Sequence, residues 1–460
     1  MDEANPNPLH TQGRDSEVLE GATSEVAPAP VVEITAPQKH DPYAAFRVPV
    51  YRLYCASFVL AIIGSQTLSA AANYDVYAKT HSSLMVGMIG LANVIPLLAL
   101  AMPAGHVADT FSRKRVLILT QVFLVACPLM LAFWHTLPAV FALLVVNAVA
   151  LTFGRPSRAS ILPNLVPKEI FANAVTWNSS FFELAASIAP AFTGLIIATW
   201  GVTWAYAVSG VAMFLCMVLT FYLPDVRAAG AKQPMTWTTL AAGVKFVAGN
   251  KVLLGPMLLD LLAVIFSGAT ALLPAFAHRL AKNPGDEPMV YGLLMAAPSI
   301  GAVLMAIFQA HRPPPMRAGR NMLLAVAGYG IATIVFGLSN HFWLSFLMLA
   351  FTGLFDNLSV VIRHTLVQLA TPDSMRGRVS AVNQIFIISS NEMGKVESGV
   401  TAHWFGEVKS VVAGGFATIL VVAAIAKAFP TLRRLGALHS VRPVEPPPTP
   451  AAVAAVHASS

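Results

Sequence analysis

The chain has 460 residues, of which 56% are hydrophobic and 11% charged, with a mean hydropathy of +0.67 and a formal net charge of +7. This balance excludes an ordinary soluble globular protein and places the chain in a lipid bilayer. The positive charge forms no basic patch interleaved with aromatic residues, which excludes a nucleic-acid surface and leaves anionic lipid as its partner.

Residues 1–44 are rich in Pro, Ala and acids and show no apolar periodicity, so a disordered tail is expected. This polar start has no charged n-region followed directly by an apolar stretch, so no cleavable signal peptide is expected. Apolar runs of about 20 residues, each enough to cross a bilayer core, then follow at 51–72, 84–107, 116–134, 138–156, 174–199 and 204–223. The longest internal break comes next, with Pro224, Pro234 and an amphipathic stretch marked by Trp237, Leu240, Val244 and Val247. Six more runs occupy 253–277, 290–310, 322–339, 342–362, 379–402 and 410–429, and a Pro- and Ala-rich tail closes the chain. The expected architecture is an all-α membrane protein of twelve spans. It has bundles at 45–223 and 252–430, a linker with an amphipathic helix at 224–251, and tails at 1–44 and 431–460. Cys55, Cys127 and Cys216 all fall inside spans, with no disulfide framework, metal-ligand spacing or cofactor motif.

The two halves repeat. A shift of 205 positions sets Gly87 on Gly292, Arg115 on Arg320, Arg158 on Arg363, Gly194 on Gly399 and Gly201 on Gly406, and brings the hydrophobic runs into register. A membrane protein with two similar halves commonly places its binding site between them, where the interface can rock open to either side. Basic residues alternate from loop to loop: Arg113, Lys114 and Arg115; Arg155, Arg158 and Lys168; Arg227 to Lys251; Arg312, Arg317 and Arg320; Arg363, Arg376 and Arg378. These loops, with both termini, are expected on the cytoplasmic side.

The turn after the second span reads Gly105, Asp109, Arg113, Lys114 and Arg115, with Thr110 and Ser112 at positions where a basic residue and a glycine are common. It resembles the signature loop of the major facilitator superfamily; the second half keeps only Arg320, because Pro314 replaces the acid. Residues 154–201 and 353–406 are similar to the branch containing the enterobactin exporter and related secretion or drug-efflux proteins. The resemblance spans about residues 47–430. It implies two six-helix bundles, a path lined by spans 1, 4, 7 and 10, a seam at spans 5 and 11, a monomer, and proton-driven export of a small organic compound from a bacterial inner membrane. The Asp109 loop would latch the bundles in one state.

Ionisable groups inside a span are costly and mark candidate sites. Asp260 and Asp356 fall at similar depth on spans 7 and 10, where they would share an aqueous vestibule and carry protons; alternatively each is a structural anchor, with Asp356 reaching Arg363 or Asn357. Glu392 and Glu397 on span 11 are five positions apart, about 140° around a helix, so one cavity cannot receive both. With Glu183 on span 5 they are proton-carrier or interdomain-lock candidates. Arg158 and Arg363 are read as a symmetric inward gate holding groups of the facing half, whereas Arg155 is read as a topology-setting charge. Gln66, Asn178 and Asn383 bond a substrate or pair helices. A nucleophile elbow and a phosphate-cradling P-loop are both absent from the sequence, so neither an enzyme nor an ATP-driven pump is expected. Uptake of a nutrient or lipid, or a channel or receptor, is the alternative to proton-driven efflux.

Overall fold

The computed structural model describes residues 41, 43–225, 237–312, 316–372, 375–438 and 441, and the architecture below belongs to the unit Tyr43–Ser460. The expected disordered tails lie mostly outside the described residues. Where described, they hold a 3-10 turn at Ala44–Arg47 and a helical turn at Pro430–Arg433. In hydrocarbon every backbone N–H and C=O needs an internal partner, so the apolar runs fold as helices. The first half contains α1 (Pro49–Thr80), α2 (Ser83–Thr110), α3 (Arg113–Phe133), α4 (Leu137–Ile161), α5 (Phe171–Trp200) and α6 (Val202–Phe221). The linker carries α7 (Trp237–Gly249), which the amphipathic stretch anticipates. Its Phe246 and Val247 pack with Leu253, Val379 and Val382.

The second half contains α8 (Lys251–Phe266), α9 (Leu273–Leu280), α10 (Glu287–Ala310), α11 (Ala318–Leu338), α12 (Phe342–Ala370), α13 (Arg376–Phe405) and α14 (Glu407–Ala428). Among the described residues, eleven candidate spans, with α8 and α9 joined as one, are long and apolar enough to cross a membrane. The twelfth is α13, whose 30 residues reach about 45 Å but carry Arg378, Glu392, Lys395 and Glu397. It packs against α8, α14 and α2, so its polar groups meet protein.

Two expectations need correction. The first span runs to Thr80 instead of residue 72, because Asp75 and Lys79 pair at i,i+4 and extend the helix. The seventh span is not one helix: α8 stops at Phe266 and a 3-10 turn, Ala269–Leu272, precedes α9. Gly268 sits at the break so close to α13 that a Cβ there would overlap the Gly394 carbonyl. The Ser267 carbonyl, freed from the helix ladder, accepts the Tyr329 hydroxyl at 3.3 Å. Irregular backbone at this depth survives because protein supplies the missing partner.

Packing reproduces the internal repeat. In the first half α1 packs on α5 and α6, α4 on α2 and α3, and α3 on α6; in the second α8 packs on α13 and α14, α12 on α10 and α11, and α11 on α14. Gly201 and Gly406, repeat mates, end α5 and α13 with φ of 90° and 85°, a conformation that favours glycine.

The bundles meet through two crossings related by the same repeat, α2 on α13 and α5 on α10. At the first, Gly87 faces Gly399; at the second, Gly194 faces Gly292. Each glycine lets one backbone lie on the other, as small residues do between helices in membranes. All four lie within two turns of the helix ends remote from the basic loops. Eleven residues further toward the basic loops, on the same faces as Gly87 and Gly292, Leu98 is 53% exposed and its repeat mate Val303 38%. The bundles are therefore closed on the face opposite the basic loops and diverge toward the basic side.

Candidate functional site

Polar groups from both bundles converge at the floor of this cleft. Gly90 on α2 lies so near the Glu392 carbonyl that a Cβ would not fit. Three residues on, and on the same face, Asn93 donates from Nδ2 to Glu392 Oε2 at 3.1 Å across the seam. Lys395, one turn along α13, pairs with Glu392 Oε1 at 2.9 Å. Arg155 on α4 is exposed and lies within electrostatic reach of Glu392, which belongs to the other bundle. An arginine turned to lipid at this depth would be expensive. Its exposure beside a facing-bundle carboxylate places it in the cleft.

Above this floor, on the closed face, further contacts tie the bundles. Tyr291 donates its hydroxyl to the Ala70 carbonyl at 2.9 Å and stacks obliquely on Tyr74, ring centroids 5.3 Å apart. The rings of His81 and His278 are 5.7 Å apart, and Ser83 Oγ donates to Glu407 Oε1 at 3.0 Å. His81 holds a positive φ of 47°, so closure rests partly on a backbone conformation rare outside glycine.

The other sequence candidates fall in distinct places. Asp260 does not stand free in a vestibule; it forms an ion pair with Arg363, joining α8 to α12 inside the second bundle. Asp356 is an exposed position on α12, and its neighbour Asn357 accepts a hydrogen bond from Gln309 at 3.1 Å. Glu397 is half-buried and accepts the hydroxyl of Ser398 at 3.4 Å, while Ser398 and Gly394 face the broken seventh span. Gln66 is half-buried on α1, Asn178 has a buried Oδ1 without a hydrogen-bond partner among the described residues, and Asn383 is buried on α13. The side chains of Glu183 and Asp109 lie outside the described residues.

The two arginines read as a gate onto the facing half do not reach it. Arg363 bonds Asp260, and Arg158 Nη2 reaches the Cys216 thiol at 3.3 Å, each within its own bundle. In the signature loop, Gly105 is buried, Arg113 Nη1 donates to the Ser160 carbonyl at 3.0 Å, Lys114 lies over the Phe221 ring at 5.4 Å, and Arg115 is exposed. The described contacts of Arg113 and Lys114 lie within the first bundle, as expected where the bundles diverge on the basic side.

Asp75 is a functional-looking acid that sequence reasoning missed. It is buried on α1, accepts Lys79 at 2.6 Å and the Tyr206 hydroxyl at 3.1 Å, and Lys79 also bonds the His135 carbonyl. Its i,i+4 spacing from Lys79 was the available signal. Among the described residues no group of His, Cys, Asp and Glu is arranged to hold a metal ion.

Residues 40–457 match the family model described as transmembrane secretion effector. The enterobactin exporter EntS of Citrobacter koseri is 25% identical over 407 residues, covering 87% of this chain and 95% of that protein. The enterobactin exporter EntS of Escherichia coli O1:K1 is 25% identical over 391 residues, covering 84% and 93%. Among solved structures, an inward-facing, occupied bacterial homologue of the human lysosomal transporter Spinster superposes with a TM-score of 0.67 at 14% identity, covering 86% of this chain and 99% of that one. The nucleoside transporter NupG superposes with a TM-score of 0.66 at 13% identity, covering 83% and 99%. At these identities the structures speak for the fold, two six-helix bundles of the major facilitator type, and the family model speaks for the lineage. The chain belongs to the transmembrane secretion effector family and is an integral membrane transporter of the major facilitator superfamily.

Proposed function

We propose that this transporter exports a small organic compound across a bacterial inner membrane by alternating access, driven by inward flow of protons, and works as a monomer among lipids. The bundles at 45–223 and 252–430 rock about the glycine crossings, with the 224–251 linker, the basic loops and both termini on the cytoplasmic side. In that orientation the cleft opens to the cytoplasm, ready to load. Support for export comes from the exporters named among the relatives.

The observation that carries the coupling is the Glu392–Asn93 hydrogen bond across the seam. In the inward-open state Glu392 is held by Lys395 on its own helix and by Asn93 across the seam. Rocking to the outward-open state breaks the Asn93 bond and exposes the carboxylate to the opposite side. There it takes a proton; once neutral, it lets the bundles close again and releases the proton to the cytoplasm. Asp356 is the second carrier candidate, whereas Asp260 is tied to Arg363 and serves as an anchor.

Proteoliposomes with the basic-loop face outward, an acidic lumen and a panel of fluorescein, rhodamine 6G and Hoechst 33342 test this. Accumulation of at least one dye is expected only while the gradient lasts. Glu392→Gln should cut it at least about tenfold, the range of one hydrogen bond to a charged group. Flux that persists undiminished after an ionophore collapses the gradient would turn the reading to facilitated transport or a channel.

A further inference from the structure

The repeat makes the two halves comparable residue by residue, and one of the places where they differ in charge lies beside the cleft. Arg363 in the second bundle is neutralised by Asp260. Its mate Arg158 occupies the equivalent place in the first bundle, but the position matching Asp260 is Cys55. Arg158 has a thiol contact at Nη2 and a buried Nη1 with no hydrogen-bond partner among the described residues. One turn away on the same face of α4, the exposed Arg155 places a second guanidinium within electrostatic reach of Glu392. Among the described residues, the two arginines at i,i+3 thus have no acid from their own bundle, a costly arrangement inside a span unless a ligand completes it.

The surroundings say more about that ligand. Tyr54 lies within electrostatic reach of Arg158 and begins a ladder of rings. Tyr54 stacks on Phe58 with centroids 6.2 Å apart, and Phe58 meets Phe182, half exposed, at 6.5 Å. A cationic pair beside a mostly buried aromatic row that ends in the exposed ring of Phe182 suits a molecule that carries an acidic group on a flat apolar body.

We propose that Arg155 and Arg158 form an anion-binding subsite of the cleft and that the transported compound is an aromatic or amphipathic organic acid. This rests on the reading of the cleft as the transport path. The acid takes the place that Asp260 fills in the second bundle, and it competes with Glu392 for the field of Arg155. Loading the anion thereby loosens the carboxylate that holds the seam.

Binding to the purified full-length protein in nanodiscs is measured by fluorescence anisotropy with two dyes that share a xanthene body and differ in charge, the anion fluorescein and the cation rhodamine 6G. Fluorescein is expected to bind at least about tenfold more tightly, and Arg155→Gln or Arg158→Gln to remove about that factor. Cys55→Asp, which recreates the Asp260–Arg363 pairing, is expected to weaken fluorescein similarly without loss of thermal stability, while Arg158→Lys retains most binding. Should the Gln variants fail to fold, Cys55→Asp and Arg158→Lys decide. Equal or stronger binding of the cation, binding of neither dye, or fluorescein affinity unchanged in Cys55→Asp would overturn the proposal. Anion-selective binding without gradient-driven flux would instead defeat the exporter reading and leave the subsite standing.

Discussion

Arg363 is almost fully buried in α12, and Asp260, with 14% side-chain exposure, neutralises it from α8. Removing one member of such a pair strands the other charge, which costs about 3–5 kcal/mol, whereas replacing both with groups of similar size is often nearly neutral. Asp260→Asn is therefore expected to lower the thermal unfolding midpoint in detergent sharply, and Asp260→Asn combined with Arg363→Leu to recover most of it. A single variant as stable as the parent would show the pair to be dispensable and return Asp260 to the list of proton carriers. Both residues could be named from sequence, but their partnership could not. Along the chain Arg363 has Asp356 two turns away, and only the packing of α8 on α12 brings the distant Asp260 closer to hand. Arg155 meets the same limit: a charge near a span end reads as a topology mark, and whether its helix face also looks into a cleft becomes visible only when the bundles are assembled.

At the scale of helices, the four glycines of the crossings were legible as repeat mates before any contact was known, because backbone-to-backbone approach leaves glycine as its trace. The break after Phe266 was not: Gly268 sits in an apolar run, and what calls for glycine there is the nearness of Gly394 on α13. The two crossings are unequally tight. A Cβ on Gly194 would overlap the Gly292 Cα, while a Cβ on Gly87 would stand 2.9 Å from the Gly399 Cα. Gly194→Ala must therefore push the closed face apart more than Gly87→Ala does. Spin labels at Trp134, which caps α3, and Trp343, at the start of α12, both exposed at that face, would report a longer distance in Gly194→Ala, a smaller lengthening in Gly87→Ala, and a population shifted toward the outward-open state. Equal distances in both variants and the parent would mean that the glycines do not set the closure.

For the molecule as a whole, closure on one face and opening on the other follow from how the two faces of α2 and α10 change along their length. Near their first turns the crossing faces are glycine and touch the other bundle; eleven residues on, the same faces present Leu98 and Val303 to open space. Eleven residues is three helical turns with about 20° of drift, so nothing rotates these side chains away from the partner bundle; only divergence of the bundles exposes them. The exposure is that of a water-filled cleft if the bundles rock, and of lipid if they do not. Thiol chemistry separates the two, because a thiolate attacks the maleimide double bond and a thiol in hydrocarbon stays protonated. The three native cysteines are buried, so the background is low. Leu98→Cys and Val303→Cys are expected to react with a membrane-impermeant maleimide applied from the basic-loop side, at comparable rates because they are symmetry mates, and to lose reactivity when Gly194→Ala favours the opposite state. Labelling only from the other side, or no labelling of either position, would mean that these faces are not the walls of a path, and the pivot built from the repeat would have to be abandoned.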